Sequence, residues 1–245
     1  MDSVRQWTLS QGWEYLILDD HFLKLAPDWV RQCCGRNIYA ITDIARLIWA
    51  HDVLSSAYER VIWVDADVVI FNPEAFARQV KTIQDHGFAR ELFLRVSGRL
   101  TTPKWSLNNA VMVFDHNTQV LGDYLRRCLD ELARFRDCEV PRTAMGPILL
   151  EQLDATQHLN RIDGVGLFTP AMLEPFAAGQ DALMRTYLSY CAVPPSAANL
   201  CHFIRNATAA EQRLTLDQVY AKAIDRLIHM GLPFDRSQDS QTQPP

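Results

Sequence analysis

Asp65 and Asp67 are separated by one alanine and stand where the apolar run 61–64 ends and the run 68–71 begins. The first run, Val-Ile-Trp-Val, is short, β-branched and aromatic, and reads as a buried strand. Carboxylates at the carboxyl end of such a strand lie where open α/β sheets bind their ligands. Side chains two residues apart in an extended chain point the same way, so both can face one cation or one phosphate cluster. Hard cations such as Mg²⁺ and Mn²⁺ prefer oxygen ligands of this kind. An Asp-x-Asp triplet is a weak signal by itself, and the flanking strand is what gives it weight.

Other residues that can do chemistry fall on both sides of this pair. Thr42 is expected to cap a helix that begins at Asp43 and runs to about Ser55, with Ile44, Leu47, Ile48 and His51 or Leu54 as its apolar face. Asp43 and Arg46 are then three apart in the first turn, where free N–H groups suit anionic ligands. Asn108 and Asn109 precede the strand-like run 110–114, and Gly146-Pro147 opens a helix through about Leu153. His202 lies inside a late apolar run, 200–204.

The elements that must position these residues alternate between two periods. Residues 14–18 read as a short strand ending in Asp19-Asp20. Asn72, Pro73 and Glu74 are a helix start, with Gly87 marking the end. Residues 91–96 read as a strand followed by a polar loop through Trp105, and 164–169 as another strand. Val120, Leu121, Tyr124, Leu125, Cys128, Leu129 and Leu132 repeat at helical spacing and form a core stripe. A last amphipathic helix, 215–230, stops at Gly231. The pattern predicts an α/β chain with a Rossmann-like mixed central sheet flanked by helices, one domain over 1–235, and a disordered polar tail over 236–245.

With 245 residues the chain has ample material for a core. Its formal net charge of −5 and scattered basic residues argue against nucleic acid as a partner. No run is long and apolar enough to span a bilayer, which leaves only peripheral membrane contact. Residues 1–11 hold no apolar signal-peptide core, and the six cysteines show no Cys-x-x-Cys or zinc spacing. Reduced thiols and a cytoplasmic location are the expectation.

With these residues placed, the chain resembles a GT-A-type glycosyltransferase carrying the DXD motif. It is most similar to the DXD sugar-transferase family of initiating mannosyltransferases and glucosylating toxins, with some likeness to the glycogenin-like family. The likeness rests on residues 14–20, a strand ending in an acidic pair, and on 41–47, which resembles a Ser-Asp-x-x-Arg helix. It rests further on Asp65-Ala66-Asp67 and on Met145-Gly146-Pro147, and spans about residues 7–205. It departs from the family before the DXD, where 57–60 is Ala-Tyr-Glu-Arg rather than a Gly-Gly pair. It departs again at the start, where no apolar run supplies the strand that helps hold the nucleotide base.

The resemblance implies a GT-A-like fold and a metal-dependent transferase. Such an enzyme moves a sugar from a nucleotide-diphosphate donor to a glycan, lipid-linked or protein acceptor, with retention. It implies Mn²⁺ or Mg²⁺ as cofactor, with Asp67 and His202 as direct ligands and Asp65 contacting the ribose or, at the metal, its bound water. Asp65 and Asp67 are thus the catalytic candidates, and Asp43, Arg46, Asp65, Asn108, Asn109, Gly146 and Pro147 the donor-binding ones. Two alternatives stand beside it. One is a degenerate transferase fold serving as a sugar-binding or scaffold module. The other is a haloacid-dehalogenase-like phosphatase with Asp65 as nucleophile and Asp67 as acid/base. The phosphatase needs a later Lys and a second acidic pair, and the nearest late acidic candidate, Asp163-Gly164, offers only one carboxylate.

Overall fold

The computed structural model of the protein describes residues 2–35, 37–97, 100–135, 139–200 and 210–233. These residues form a mixed α/β structure, as the alternating periods predict. Helices α1 (Asp2–Ser10), α2 (Asp28–Cys34) and α3 (Ile38–Ser56) precede strands β1 (Arg60–Val64) and β2 (Val68–Ile70). Helix α4 (Pro73–Thr82), the long strands β3 (His86–Ser97) and β4 (Leu100–Asp115), and helix α5 (Val120–Ala133) follow. A single π-turn (Ala144–Ile148) leads into α6 (Leu149–Gln157). Then come β5 (Arg161–Ile162), β6 (Val165–Phe168), α7 (Pro170–Ala177), α8 (Ala182–Ser189), β7 (Ala197–Leu200) and α9 (Ala210–Met230).

The strands divide into two sheets where the sequence predicts one. A four-stranded sheet runs β1-β4-β3-β5, with only the β3–β5 pair parallel. A three-stranded sheet runs β2-β7-β6, with β6 and β7 parallel. Helices α3, α5 and α6 cover one face of the larger sheet through Ile44, Leu47, Tyr124 and Leu150, packed with Phe88 and Phe114. Trp7 of α1 and Phe76 and Val80 of α4 pack with Val68, Ile70, Val111 and Val113. Helices α7, α8 and α9 close over β6 and β7 through Leu173, Tyr187 and Leu227.

Local chemistry explains both the agreements and the departures. The Asn72 side chain accepts the Ala75 N–H at 3.1 Å and Pro73 stands at the first helical position, so α4 begins as predicted. It ends at Thr82, not at Gly87. Gly87 lies inside β3, where a Cβ would sit 2.8 Å from the Ile83 side chain, so its job is close packing. Helix α3 begins five residues before Asp43, because Asn37 accepts the Ala40 N–H and Ala40 and Ile41 extend the buried face. Thr42 is no cap; its hydroxyl donates to Ile38 O within the helix. Residues 14–18 form no strand and pair with none among the described residues, and 100–105 of the loop expected through Trp105 are the start of β4.

The core stripe on α5 and the stop at Gly231, whose φ is +71°, are as the sequence predicts. Cys33, Cys34, Cys128 and Cys191 are free thiols. Among the described residues no helix is long and apolar enough to cross a membrane. The run holding His202 and the polar tail lie outside the described residues.

Candidate functional site

Asp65, Ala66 and Asp67 form the step by which the chain leaves one sheet and enters the other. The Asp65 N–H donates to Ala110 O on β4 at 2.8 Å, and the Leu200 N–H on β7 donates to Asp67 O at 3.0 Å. Between them the Val68 N–H closes a turn onto Asp65 O. The triplet is therefore a tight turn, where the sequence predicts an extended strand end. One backbone anchor belongs to each sheet.

Asp65 is held by a buried ionic array. Arg46 Nη1 donates to Asp65 Oδ1 at 2.8 Å and to Asn109 O at 2.9 Å, while Nη2 pairs with Asp43 Oδ1 at 3.0 Å. Asn109 Nδ2 donates to the same Asp43 oxygen at 2.9 Å. The Trp63 indole N–H donates to Asp65 Oδ1 at 2.6 Å, and its ring lies 5.2 Å from the Arg46 guanidinium carbon. Asp43 and Arg46 are 6% and 5% exposed, so they form a buried pair in the second turn of α3, where the sequence predicts donor contacts in an open first turn. Arg46 lines the adjoining cleft; Asp43 stands behind it.

Three carboxylates, Asp43, Asp65 and Asp67, share this one guanidinium. Burial and the charge of Asp65 push the Asp67 carboxyl up to about 6. Burial also pushes Asp43 up to about 6, with Arg46 opposing the shift and Asp65 adding to it. No side chain among the described residues donates to Asp67. A surplus of negative charge, with an Asp67 carboxylate that no described side chain engages, would suit a hard divalent cation, for which Asp67 and the Asp65 oxygen not bonded to Arg46 are the available ligands. Among the described residues no group of three or more His, Cys, Asp or Glu side chains can hold a metal, and the third expected ligand, His202, lies outside them.

Asn108 and Asn109 sit within β4 and, by strand alternation, face opposite ways. Asn109 joins the Arg46 array. Asn108 Nδ2 donates to Glu91 Oε2 at 2.6 Å, and Asn199 Nδ2 donates to Glu91 Oε1 at 2.9 Å. Glu91 is 1% exposed and has no cationic partner among the described residues. Burial pushes its carboxyl up to about 8, its two amide bonds oppose this, and the charges of Asp65 and Asp67 add to it. Glu91, Asn199 and Trp63 were not singled out from sequence. A lone acid within an apolar strand run is the one signal that pointed to Glu91.

Gly146 and Pro147 lie in the π-turn ahead of α6, so the helix begins at Leu149 rather than at this pair. Gly146 backs the array: a Cβ there would meet Asn109 Oδ1 at 3.2 Å. Gly146→Ala is expected to push the Asn109 amide off Asp43 and to lower stability by about 1–2 kcal/mol, measurable by urea unfolding. The Tyr124 hydroxyl donates to Met145 O at 2.6 Å and fixes the turn from the core side.

The array opens into a cleft of about 890 Å³, walled by Trp7, Trp13, Tyr15, Trp49 and Trp63. Arg46, Asp65 and Asp67 line it as well. No protein-family model, curated protein or solved structure matches this chain.

Proposed function

We propose that the chain is a metal-dependent glycosyltransferase that moves a sugar from a nucleotide-diphosphate sugar to a glycan, lipid-linked or protein acceptor, with retention. The observation that carries this is the pairing of Asp67, which no side chain among the described residues engages, with a carboxylate locked in place, Asp65, on the wall of a cleft large enough for such a donor. Cleaving the donor's anomeric bond leaves a diphosphate whose charge must be balanced as it forms. Asp65 and Asp67 would hold Mn²⁺ or Mg²⁺, which supplies that charge when bound. Arg46 adds a fixed positive charge beside Asp65, and Asp43 with Asn109 keeps its guanidinium oriented. The aromatic walls offer faces on which flat or ring-shaped parts of a donor can stack.

The phosphatase alternative asks Asp65 to attack phosphorus. Its Oδ1 already accepts from both Arg46 and Trp63, which lowers its nucleophilicity. A panel of nucleotide sugars with Mn²⁺ tests the proposal. At least one donor is expected to raise the melting temperature, and to be hydrolysed or transferred slowly. Asp67→Ala is expected to abolish both effects while leaving the unliganded melting temperature within about 2 °C, since among the described residues that carboxylate has no side-chain partner to lose. Binding without turnover favours the sugar-binding module, and absence of both effects in the wild type sinks the transferase.

A further inference from the structure

We infer that Glu91 is a positioning residue for Asp67, acting through a hydrogen-bonded circuit that leaves the Asp-Ala-Asp turn at one aspartate and returns to it at the other. The circuit starts at the Asp65 N–H, which donates to Ala110 O at 2.8 Å. The Ala110 N–H donates to Asn108 Oδ1 at 3.2 Å, and Asn108 Nδ2 donates to Glu91 Oε2 at 2.6 Å. Glu91 Oε1 accepts from Asn199 Nδ2 at 2.9 Å, and the next residue of β7, Leu200, donates its N–H to Asp67 O at 3.0 Å. Asn199 also stands opposite Val68, the residue after Asp67, in the β2–β7 pairing. This role for Glu91 rests on the proposed function of Asp65 and Asp67 as metal ligands.

No side chain among the described residues donates to Asp67, so its main chain must set where the carboxylate stands relative to Asp65. That main chain is tied to β7, whose strand pairings stay within the three-stranded sheet. Asp65 is tied to β4 in the other sheet. Leu92 and Leu94 of β3 share an apolar cluster with Ala198 and Leu200 of β7, but apolar burial is non-directional and tolerates sliding. The Glu91–Asn199 bond is directional. Among the described residues it is the only side-chain hydrogen bond that runs directly from a strand of one sheet to a strand of the other. Glu91 is 1% exposed, and a leucine in its place would avoid the cost of burying a carboxyl. What leucine cannot supply is two acceptors, one for each amide.

Mn²⁺ titration of the protein without donor tests this, with free Mn²⁺ read by electron paramagnetic resonance. Glu91→Leu and Asn199→Ala are each expected to weaken Mn²⁺ binding by about ten- to a hundredfold, as when a metal ligand loses its support. Glu91→Gln, which can still bond both amides, is expected to stay within about threefold of the wild type. Leu132→Ala, a core truncation on α5, is expected to lower stability and leave the affinity unchanged, which separates positioning from general loosening. The Leu200 amide reports the circuit without metal: its exchange is expected to be about tenfold or more faster in Glu91→Leu than in Leu132→Ala. Glu91 loses this role if Glu91→Leu binds Mn²⁺ like the wild type, if Leu132→Ala weakens binding as much, or if glutamine fails to rescue. Should Glu91→Leu not fold, Asn199→Ala and Glu91→Gln carry the same comparison. A wild type that binds no Mn²⁺ overturns the metal reading instead, and the Leu200 amide then decides alone whether Glu91 fixes Asp67.

Discussion

Arg46→Ala is expected to lower the unfolding free energy by about 3–5 kcal/mol, the largest loss of any single substitution at the site. The guanidinium is buried with Asp43, holds Asp65, and fills the Asn109 carbonyl. Truncation leaves Asp43 interred without its cation and Asp65 with only the Trp63 indole. For a chain of this size, such a loss lowers the melting temperature by roughly 10 °C. Lysine is a poor replacement, because one ammonium cannot reproduce the fork that reaches Asp43, Asp65 and Asn109 O together. Removing the stranded charge as well should recover part of the loss, so the double variant with Asp43→Asn is expected to be more stable than Arg46→Ala alone. Denaturant unfolding of the wild type, Arg46→Ala, Asp43→Asn and the double variant decides the matter. A cost below about 1 kcal/mol for Arg46→Ala would show that the array is not an energetic unit.

The second large effect concerns pH. Glu91 carries a carboxyl raised from its ordinary 4.5 to about 8 by burial, so between those values the folded state holds a proton that the unfolded chain releases. Stability contributed by that proton is fully present below about 4.5 and is lost progressively as pH rises toward 8. Asp43 and Asp67, raised to about 6, act with the same sign over the lower part of this window. Glu91→Gln removes the largest of these slopes. The variant is expected to match the wild type near pH 5 and to exceed it by a few kcal/mol near pH 8.5. The glutamine needs one partner to accept from its NH₂. Asn108 Oδ1 already accepts the Ala110 N–H, so the Asn199 amide must turn to serve. Parallel stability–pH curves for the two proteins would refute a buried neutral Glu91.

What the sequence disclosed follows from how local each signal is. The Asn72-Pro73 helix start, the α5 stripe and the apolar run of β1 are written in a few neighbouring residues, and each appears in the structure. The segment 14–18 has strand composition, but a strand also needs a partner, and pairing is decided at a distance. Asn108 and Asn109 look like turn residues, yet the 16-residue β4 carries them because each amide has a buried acid to serve. The start of α3 shifted because Asn37 caps as well as Thr42 can, and the buried face of Ala40 and Ile41 decides between them. The site itself was half legible. Asp43, Arg46, Asp65, Asn109 and Gly146 do come together, whereas the Glu91 cluster depends on β3, β4 and β7 meeting, which no short motif encodes.

The Asp-Ala-Asp turn behaves as a mechanical joint. Its first carboxylate is pinned through the backbone to the four-stranded sheet and its second to the three-stranded sheet. The gap between the carboxylates is therefore a gauge of the angle between the two sheets. A ligand that grips both acts as a rivet across the joint, and stiffens parts of the molecule it never touches. By reciprocity, a substitution that loosens the joint from afar, such as one beneath β6 or β7, weakens that grip without altering any group that makes it.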